Sequence, residues 1–149
     1  MLLAPGISQV YYGDESARSL DIADTQGDAT LRSFMNWNSI SNDVYTQAVQ
    51  EHWQKLGQFR KNHPAIGGGI HSQISSFPYV FSRTFTKDKY SDSVVVALDL
   101  PFGQKEISVG TIFKNGTKVR DTYSGKTTIV KDGKINIETN YAILLIEKI

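Results

Sequence analysis

Two neighbouring carboxylates, Asp14 and Glu15, are the first residues of the chain whose types could do chemistry. Glycoside hydrolysis uses two carboxylic acids that face one bond. The pair follows an apolar run, residues 7 to 12, which predicts a short strand. Because successive strand residues point to opposite faces, Asp14 and Glu15 cannot flank the same glycosidic oxygen if the strand continues. We expect them to support a site without acting as catalysts.

Other motifs in the chain predict no further chemistry. The stretch YSGKTT, residues 123 to 128, ends like a phosphate-binding loop, but Arg120 stands where the pattern needs a glycine, and the stretch lies between predicted strands. The three histidines, His52, His63 and His71, lack the i,i+4 spacing of a helical zinc pair. We therefore predict no metal ligands in this chain.

Composition bounds the class of protein. The 149 residues are 40% hydrophobic, which is enough for one sizeable core. A net charge of +1, from 16 basic and 15 acidic residues, provides no electrostatic footprint for nucleic acid or an anionic membrane. No apolar run is long enough to span a bilayer, and the first residues lack the pattern of a signal peptide. The absence of cysteine excludes disulfides without fixing the compartment.

The first part of the chain must position these residues with few elements. After the strand at about 7–12 comes a long polar loop, 16–43, without a regular period. A helix is predicted at about 43–62, with Asn42 as N-cap and an apolar stripe that includes Trp53. The glycines at 67–69 suggest a break, so the predicted domains are 1–70 and 71–149.

The second part reads as an all-β domain. Asn115-Gly116, Ser124-Gly125 and Asp132-Gly133 predict tight turns between β-branched or alternating runs. Short strands with turns at close spacing indicate an antiparallel β-sandwich or Greek key. The seven predicted strands are 79–85, 93–100, 106–113, 118–123, 127–131, 134–138 and 141–146.

The opening motif carries a family resemblance. APGISQVYYGDES, residues 4 to 16, resembles the segment around the eighth and last barrel strand of the alpha-amylase family of glycoside hydrolases, typically Pro-Gly-Ile/Val-Pro-x-Ile/Val-Tyr-Tyr-Gly-x-Glu. Ser8 replaces the common proline. The residues that match are Gly6, Tyr11, Tyr12, Gly13 and Glu15.

Further matches follow in the family's order. LRSFMNW, 31 to 37, looks like the family's Arg-x-x-Met-x-Trp stretch, with Arg32, Met35 and Trp37 aligned. Residues 52 to 69 are similar to the last barrel helix, which ends in Arg-x-x-His-Pro-Ala. Residues 119 to 147 look like the end of domain C, the family's C-terminal β domain, where Asp-x-x-Ser/Thr-Gly precedes the closing strands.

The resemblance implies a mainly β protein: a βα remnant of a TIM barrel followed by domain C. The family's nucleophilic aspartate, glutamic acid/base and stabilising aspartate come from barrel strands four, five and seven, all of which would precede Met1. The resemblance therefore implies no catalytic residue here, and a parent enzyme that cleaves α-glucosidic bonds of starch or maltodextrin by a retaining mechanism. No cofactor is implied for this chain, although calcium is implied as an option for the parent. Candidates for lining or supporting the parent's substrate cleft are Asp14, Glu15, Arg18, Arg32 and Trp37.

Three alternatives stay open at this point. The leading hypothesis is a non-catalytic C-terminal piece whose β domain stabilises the parent's barrel, its main partner. The second is a stand-alone α-glucan-binding module that uses Tyr79, Tyr90 and Tyr123. The third is self-association through the unpaired edges of the strand at 7–12. A polysaccharide-degrading parent would be secreted or periplasmic, and a cytoplasmic location is equally compatible with the sequence.

Overall fold

The computed structural model describes residues 1–149 and divides into two compact units. The larger unit comprises Met1–Ile7 with Gln58–Ile149, and the smaller comprises Ser8–Gly57. The predicted domain boundary after residue 70 stays a prediction; the last turn of the long helix falls in the larger unit. The helices are α1 (Trp37–Asn42), α2 (Val44–Asn62) and α3 (Pro64–Gly68), and 3-10 segments cover Asp14–Ser16 and Gly27–Arg32. The strands are β1 (Ile70–Ser76), β2 (Tyr79–Lys87), β3 (Tyr90–Leu98), β4 (Gly103–Ser108), β5 (Lys118–Asp121), β6 (Thr127–Ile129), β7 (Lys134–Thr139) and β8 (Ile143–Lys148).

The larger unit contains the predicted antiparallel sandwich. One sheet has six strands in the order β1-β2-β3-β8-β5-β6, and a second pairs β4 with β7. Alternation along β7 buries Ile135 and Ile137 and leaves their neighbours exposed, as a strand with one solvated face requires. These side chains join one core that draws on both sheets: Val80, Val95, Ala97, Leu100, Ile107, Val109, Phe113, Val119, Val130, Ile135, Ile137, Leu144 and Ile146.

The other face of the six-stranded sheet is also covered. Val94 and Val96 alternate with the core residues of β3 and are fully buried. The short helix α3 packs against β2 and β3, and its Ala65 and Ile66 are fully buried. Burial on both faces explains why β3 reads as a continuous apolar run instead of an alternating one.

The predicted strand at 7–12 is not formed. Residues 7 to 11 have no regular structure, and no strand pairs with them. A strand needs a hydrogen-bonded neighbour, and this segment has none, so its apolar side chains stay accessible. Ile7 is fully exposed, and Val10 and Tyr12 are each more than 40% exposed.

The long helix agrees with the sequence, but its cap differs. Asp43, and not Asn42, caps α2: its Oδ2 accepts bonds of 2.8 Å from both the backbone N–H and the hydroxyl of Thr46. These bonds, led by the backbone one, lower the pKa of Asp43. The preceding region, predicted as an irregular loop, contains the 3-10 segment Gly27–Arg32 and helix α1.

Candidate functional site

The two carboxylates at the end of the opening motif accept hydrogen bonds from the backbone of their own turn. Oδ2 of Asp14 accepts a 3.2 Å hydrogen bond from the backbone N–H of Tyr11. Oε2 of Glu15 accepts a 3.1 Å bond from the backbone N–H of Gly13. Each carboxylate therefore satisfies a backbone donor of a tight turn, and the role expected of these residues in supporting a substrate cleft stays a prediction.

Arg18 is the centre of the smaller unit. Its side chain is buried, and its guanidinium donates to the carbonyls of Tyr12 at 3.0 Å, Leu31 at 3.2 Å and Ser33 at 3.1 Å, and to the Ser33 hydroxyl. The guanidinium carbon also lies 4.0 Å from the ring centroid of Tyr12, in cation–π contact. One side chain thereby joins the opening turn to residues 31–33. Arg18 is thus a support residue, with its donors directed at the backbone.

Gly13 is required by this arrangement. Its φ of 89° is left-handed, and a Cβ there would lie 2.4 Å from Nε of Arg18. The glycine of the Tyr-Tyr-Gly motif therefore provides both the turn and the space that Arg18 occupies.

A hydrogen-bonded pair of polar side chains, of buried Ser16 and half-buried Asn36, joins the next part of the unit. The Ser16 hydroxyl donates to Oδ1 of Asn36 at 2.7 Å, and Nδ2 of Asn36 donates to the Ser16 carbonyl, also at 2.7 Å. Trp37 follows directly and is 69% exposed, so its indole is available for contact. Arg32 is also exposed, at the end of the 3-10 segment. Among the five cleft candidates, only Trp37 and Arg32 present accessible side chains beyond the turn.

The three candidate tyrosines do not form one platform. Tyr79 pairs with Leu98 at one end of the β2–β3 hairpin, and Tyr90 pairs with Lys87 at the other, roughly 27 Å away at 3.4 Å per residue. The Tyr79 hydroxyl is 3.1 Å from Nε2 of His71. Tyr123 packs edge-on against Tyr141, with ring centroids 4.9 Å apart. Tyr90, which is half exposed, is the most accessible of the three.

The best-defined polar cluster of the larger unit centres on the Arg-Lys-Asn-His-Pro-Ala stretch, and we did not predict a role for it. Nη1 of Arg60 donates to the carbonyls of Leu2 at 2.9 Å and Ala4 at 2.8 Å, and Nη2 donates to that of Gly6. The backbone N–H of Gly6 donates in turn to Gly67 at 2.8 Å. The last turn of α2 thereby holds the first residues of the chain.

The histidine of the same stretch contacts the sheet. His63 is 8% exposed, and its Nδ1 and Nε2 each lie 2.9 Å from a carboxylate oxygen, of Asp92 on β3 and of Glu147 on β8. A carboxylate can only accept, so both bonds form when the ring carries both protons. Asp92 also accepts from the backbone N–H of Ala65 at 2.9 Å, and Glu147 accepts from Nε of Arg120 at 2.7 Å. We call His63, Asp92, Glu147 and Arg120 the histidine network. The signal that could have found it is the family motif itself, because spacing along the chain gives no hint of partners on β3 and β8.

The β-sandwich also contains a fully buried carboxylate. Asp121 is fully buried and accepts from the backbone N–H groups of Leu145 at 2.8 Å, Ser124 at 3.0 Å and Tyr123 at 3.2 Å. It belongs to the Asp-x-x-Ser-Gly stretch, and its bonds join the turn after β5 to β8. Buried Lys105 lies within its electrostatic reach; burial lowers the pKa of this lysine, against a smaller opposite effect of Asp121.

Metal binding has no support in the geometry of the chain. No group of three or more His, Asp or Glu side chains is placed to hold an ion. Calcium stays an expectation about the parent enzyme. No helix is long and apolar enough to cross a membrane.

Two curated proteins match the sequence. The periplasmic alpha-amylase of Escherichia coli (strain K12) is 46% identical over 90 residues, which is 60% of this chain and 13% of that protein. The amylopullulanase of Thermoanaerobacter thermohydrosulfuricus is 27% identical over 144 residues, 90% of this chain and 9% of that protein. The chain thus spans about a tenth of the length of these relatives. No protein-family model matches it.

Solved structures agree in fold. The alpha-amylase of Geobacillus thermoleovorans, solved with acarbose, matches with a TM-score of 0.68 and 15% identity over 99% of this chain and 31% of that chain. An Anoxybacillus alpha-amylase matches with a TM-score of 0.65 and 24% identity, over 98% of this chain and 30% of that chain. The sequence matches are to an alpha-amylase and an amylopullulanase, and the solved alpha-amylases share the β-rich fold over about 30% of their own length, so the chain is similar to the C-terminal part of alpha-amylase family enzymes.

Proposed function

We propose that this chain is the non-catalytic C-terminal part of an α-glucan hydrolase, and that its β domain stabilises the barrel of the parent enzyme. The parent would cleave α-glucosidic bonds of starch or maltodextrin by the retaining mechanism implied by the family. The barrel would be supplied by polypeptide beyond these 149 residues.

The observation that carries this proposal is the position of the Arg-Lys-Asn-His-Pro-Ala stretch. Arg60 binds the carbonyls of the segment that leads into the opening motif, and His63, three residues later, binds β3 and β8. Three parts of the chain thus meet within one helical turn: the segment before the opening motif, the end of α2 and the β sheet. These contacts support a role for domain C in holding the end of a barrel.

The hydrogen bonds of the two carboxylates support the non-catalytic part of the proposal. Asp14 and Glu15 each hydrogen-bond a backbone N–H of their own turn. A retaining glycosidase needs two carboxyl groups about 5–5.5 Å apart across a bond, with one held protonated. Asp14 and Glu15 instead bond backbone groups within one tight turn.

The test is an assay of the purified 149-residue chain on soluble starch and on maltodextrin. We expect no release of reducing sugar above that of a sample passed through the same purification without the protein. Release that follows the chain through successive columns and survives immunodepletion of host amylase would overturn the non-catalytic assignment.

Glucan binding is a second candidate function, favoured by the accessible rings of Trp37 and Tyr90. Native electrophoresis in gels with and without soluble starch tests it. Retardation of the chain in starch, reduced in Trp37→Ala or Tyr90→Ala, would support binding and locate it. Equal mobility in both gels would exclude the binding-module alternative.

A further inference from the structure

Arg83, on β2, is a buried cation without an anionic partner. The residue is 4% exposed. Its Nη1 donates to the carbonyl of Gly69 over a long 3.4 Å, and its buried Nε has no hydrogen-bond partner at all. No Asp or Glu lies within ion-pair distance of the guanidinium. Buried charges in proteins are normally paired, so this arginine needs an explanation.

Its surroundings add positive charge and no negative charge. Arg60 is the nearest interacting cation, and its own donors are directed at neutral backbone carbonyls. His71 lies opposite Arg83 in the β1–β2 ladder. Burial lowers the pKa of Arg83, Tyr79 raises it to a lesser degree, and Arg60 lowers it further. We call Arg60, His71 and Arg83 the arginine patch.

The shape of the patch selects one kind of anion. The guanidinium carbon of Arg83 lies 5.6 Å from the ring centroid of Phe81, and Nε of the same guanidinium is an unused donor. A planar carboxylate meets the edge of a guanidinium with two parallel N–H···O bonds. A lone buried guanidinium is strongly unfavourable, and a carboxylate would remove that penalty.

We propose that Arg83 is a recognition site for a carboxylate group that these 149 residues do not provide, with Arg60 strengthening the local positive potential. Three sources share this chemistry: an acidic side chain of adjoining polypeptide, an acidic side chain of a second copy, and a free organic acid. The proposal is independent of the enzyme family and of glucan binding, because it rests on the charge balance of β2 and α2 alone.

The test is a titration of the chain with sodium malonate, followed through the arginine Nε–Hε signals in a nitrogen-correlated NMR spectrum. Sodium chloride at equal ionic strength is the reference. We expect the Arg83 signal to shift along a saturating curve in malonate and to move little in chloride. The Arg120 signal is the internal control, because that guanidinium is already bound to Glu147. Identical responses of Arg83 in malonate and in chloride, or no response in either, would overturn the proposal.

A stability measurement provides the second arm. At tenfold the apparent Kd, malonate should raise the unfolding midpoint of the wild-type chain by roughly 3–6 °C. Arg83→Met, which keeps the length of the side chain without its charge, should show no such rise. If Arg83→Met does not fold, Arg83→Lys replaces it, and it should lose most of the malonate effect because a lysine lacks the planar fork. An equal rise in the wild type and the variant would contradict the site.

NMR and sedimentation measurements on the protein distinguish the three sources of the carboxylate. An Arg83 shift that grows with protein concentration in the absence of malonate, together with a dimer in sedimentation, assigns the group to a second copy. A longer form of the enzyme in which the Arg83 signal is already at its malonate-bound position, and no longer responds, assigns it to adjoining polypeptide. A response to malonate alone, without either change, assigns the site to a free acid.

Discussion

Nε2 of His63, at the end of α2, lies 2.9 Å from Oε2 of Glu147 on β8, 84 residues along the chain. The other ring nitrogen is 2.9 Å from Asp92, so one imidazole lies between two nearly buried carboxylates. The stability of the chain should therefore depend strongly on this ring.

His63→Gln tests this dependence. A glutamine can donate to one carboxylate at most at this position, so the other loses its bond to residue 63 and keeps only its second donor, Ala65 N–H for Asp92 or Arg120 for Glu147. We expect a loss of roughly 1–3 kcal/mol in the free energy of unfolding, the range for leaving a buried hydrogen-bonding group without its partner. Urea unfolding followed by circular dichroism measures it. His71→Gln, at an exposed histidine, is the matched control, and an equal loss in both variants would contradict the role of the network.

Arg60 should affect how firmly the first residues are held in place more than it affects the stability of the whole chain. Arg60→Lys replaces a fork that reaches three carbonyls by a single ammonium group. We expect faster amide hydrogen exchange at Gly6, whose N–H donates to Gly67, with a small change in the urea midpoint. Lys61→Ala, at the exposed neighbouring position, should leave exchange at Gly6 unchanged. Unchanged Gly6 exchange in Arg60→Lys would show that the carbonyl contacts are not needed.

Gly13→Ala should disrupt the smaller unit. The new methyl group would overlap Arg18, and its residue would have to adopt a φ of 89°. Gly27→Ala is the matched control in the same unit, because Gly27 also has a positive φ, of 60°, and open space around it. We expect the control to cost about 1–2 kcal/mol through backbone strain alone, and Gly13→Ala to cost more.

The measurement for this pair is intrinsic tryptophan fluorescence. Both tryptophans, Trp37 and Trp53, lie within Ser8–Gly57, so the signal reports on the smaller unit. If the urea midpoints fall equally for both alanine variants, the close approach of Gly13 to Arg18 adds nothing to the destabilisation.

The free energy of unfolding should depend on pH through His71, the histidine of the arginine patch. Burial, and then the charge of Arg83, lower the pKa of His71 below its ordinary value of 6.5. The unfolded state then binds the proton more readily, so the free energy of unfolding falls as the pH drops from 6.5 to the folded-state pKa and is constant below it. Removal of the charge in Arg83→Met should raise the pKa of His71 and reduce this loss. An NMR titration of the imidazole ring measures both, with His52 as the unaffected reference; a His71 pKa that stays the same or falls in the variant would contradict the assignment.

The sequence predicted the β domain well because its signals are local. Alternating residues in β7, the continuous apolar run of β3 and the Asp132-Gly133 turn each follow from a few neighbouring residues. β1 was missed because its IHSQISS sequence has no apolar alternation and lies at the edge of the sheet, where burial does not constrain it. The strand at 7–12 was wrong for the opposite reason: its apolar pattern is strong, but no neighbouring strand pairs with it.

The candidate site was harder to predict than the fold. The supporting role expected of Asp14 and Glu15 stays a prediction, and the centre of their turn is Arg18, whose acceptors are backbone carbonyls that carry no sequence signature. The partners of His63 come from strands 29 and 84 residues away. The arginine patch depends on which strands are neighbours, and periodicity does not give that order.

The place of β8 within the six-stranded sheet has a consequence for the order of folding. β8 lies between β3 and β5 and is the only strand that joins β1-β2-β3 to β5-β6. Because β8 is also the last of these strands to leave the ribosome, the two halves can form hairpins early but cannot become one sheet until synthesis has passed Lys148. Chains halted before Ile143 would expose the edges of β3 and β5 together, and unpaired strand edges invite pairing with other chains.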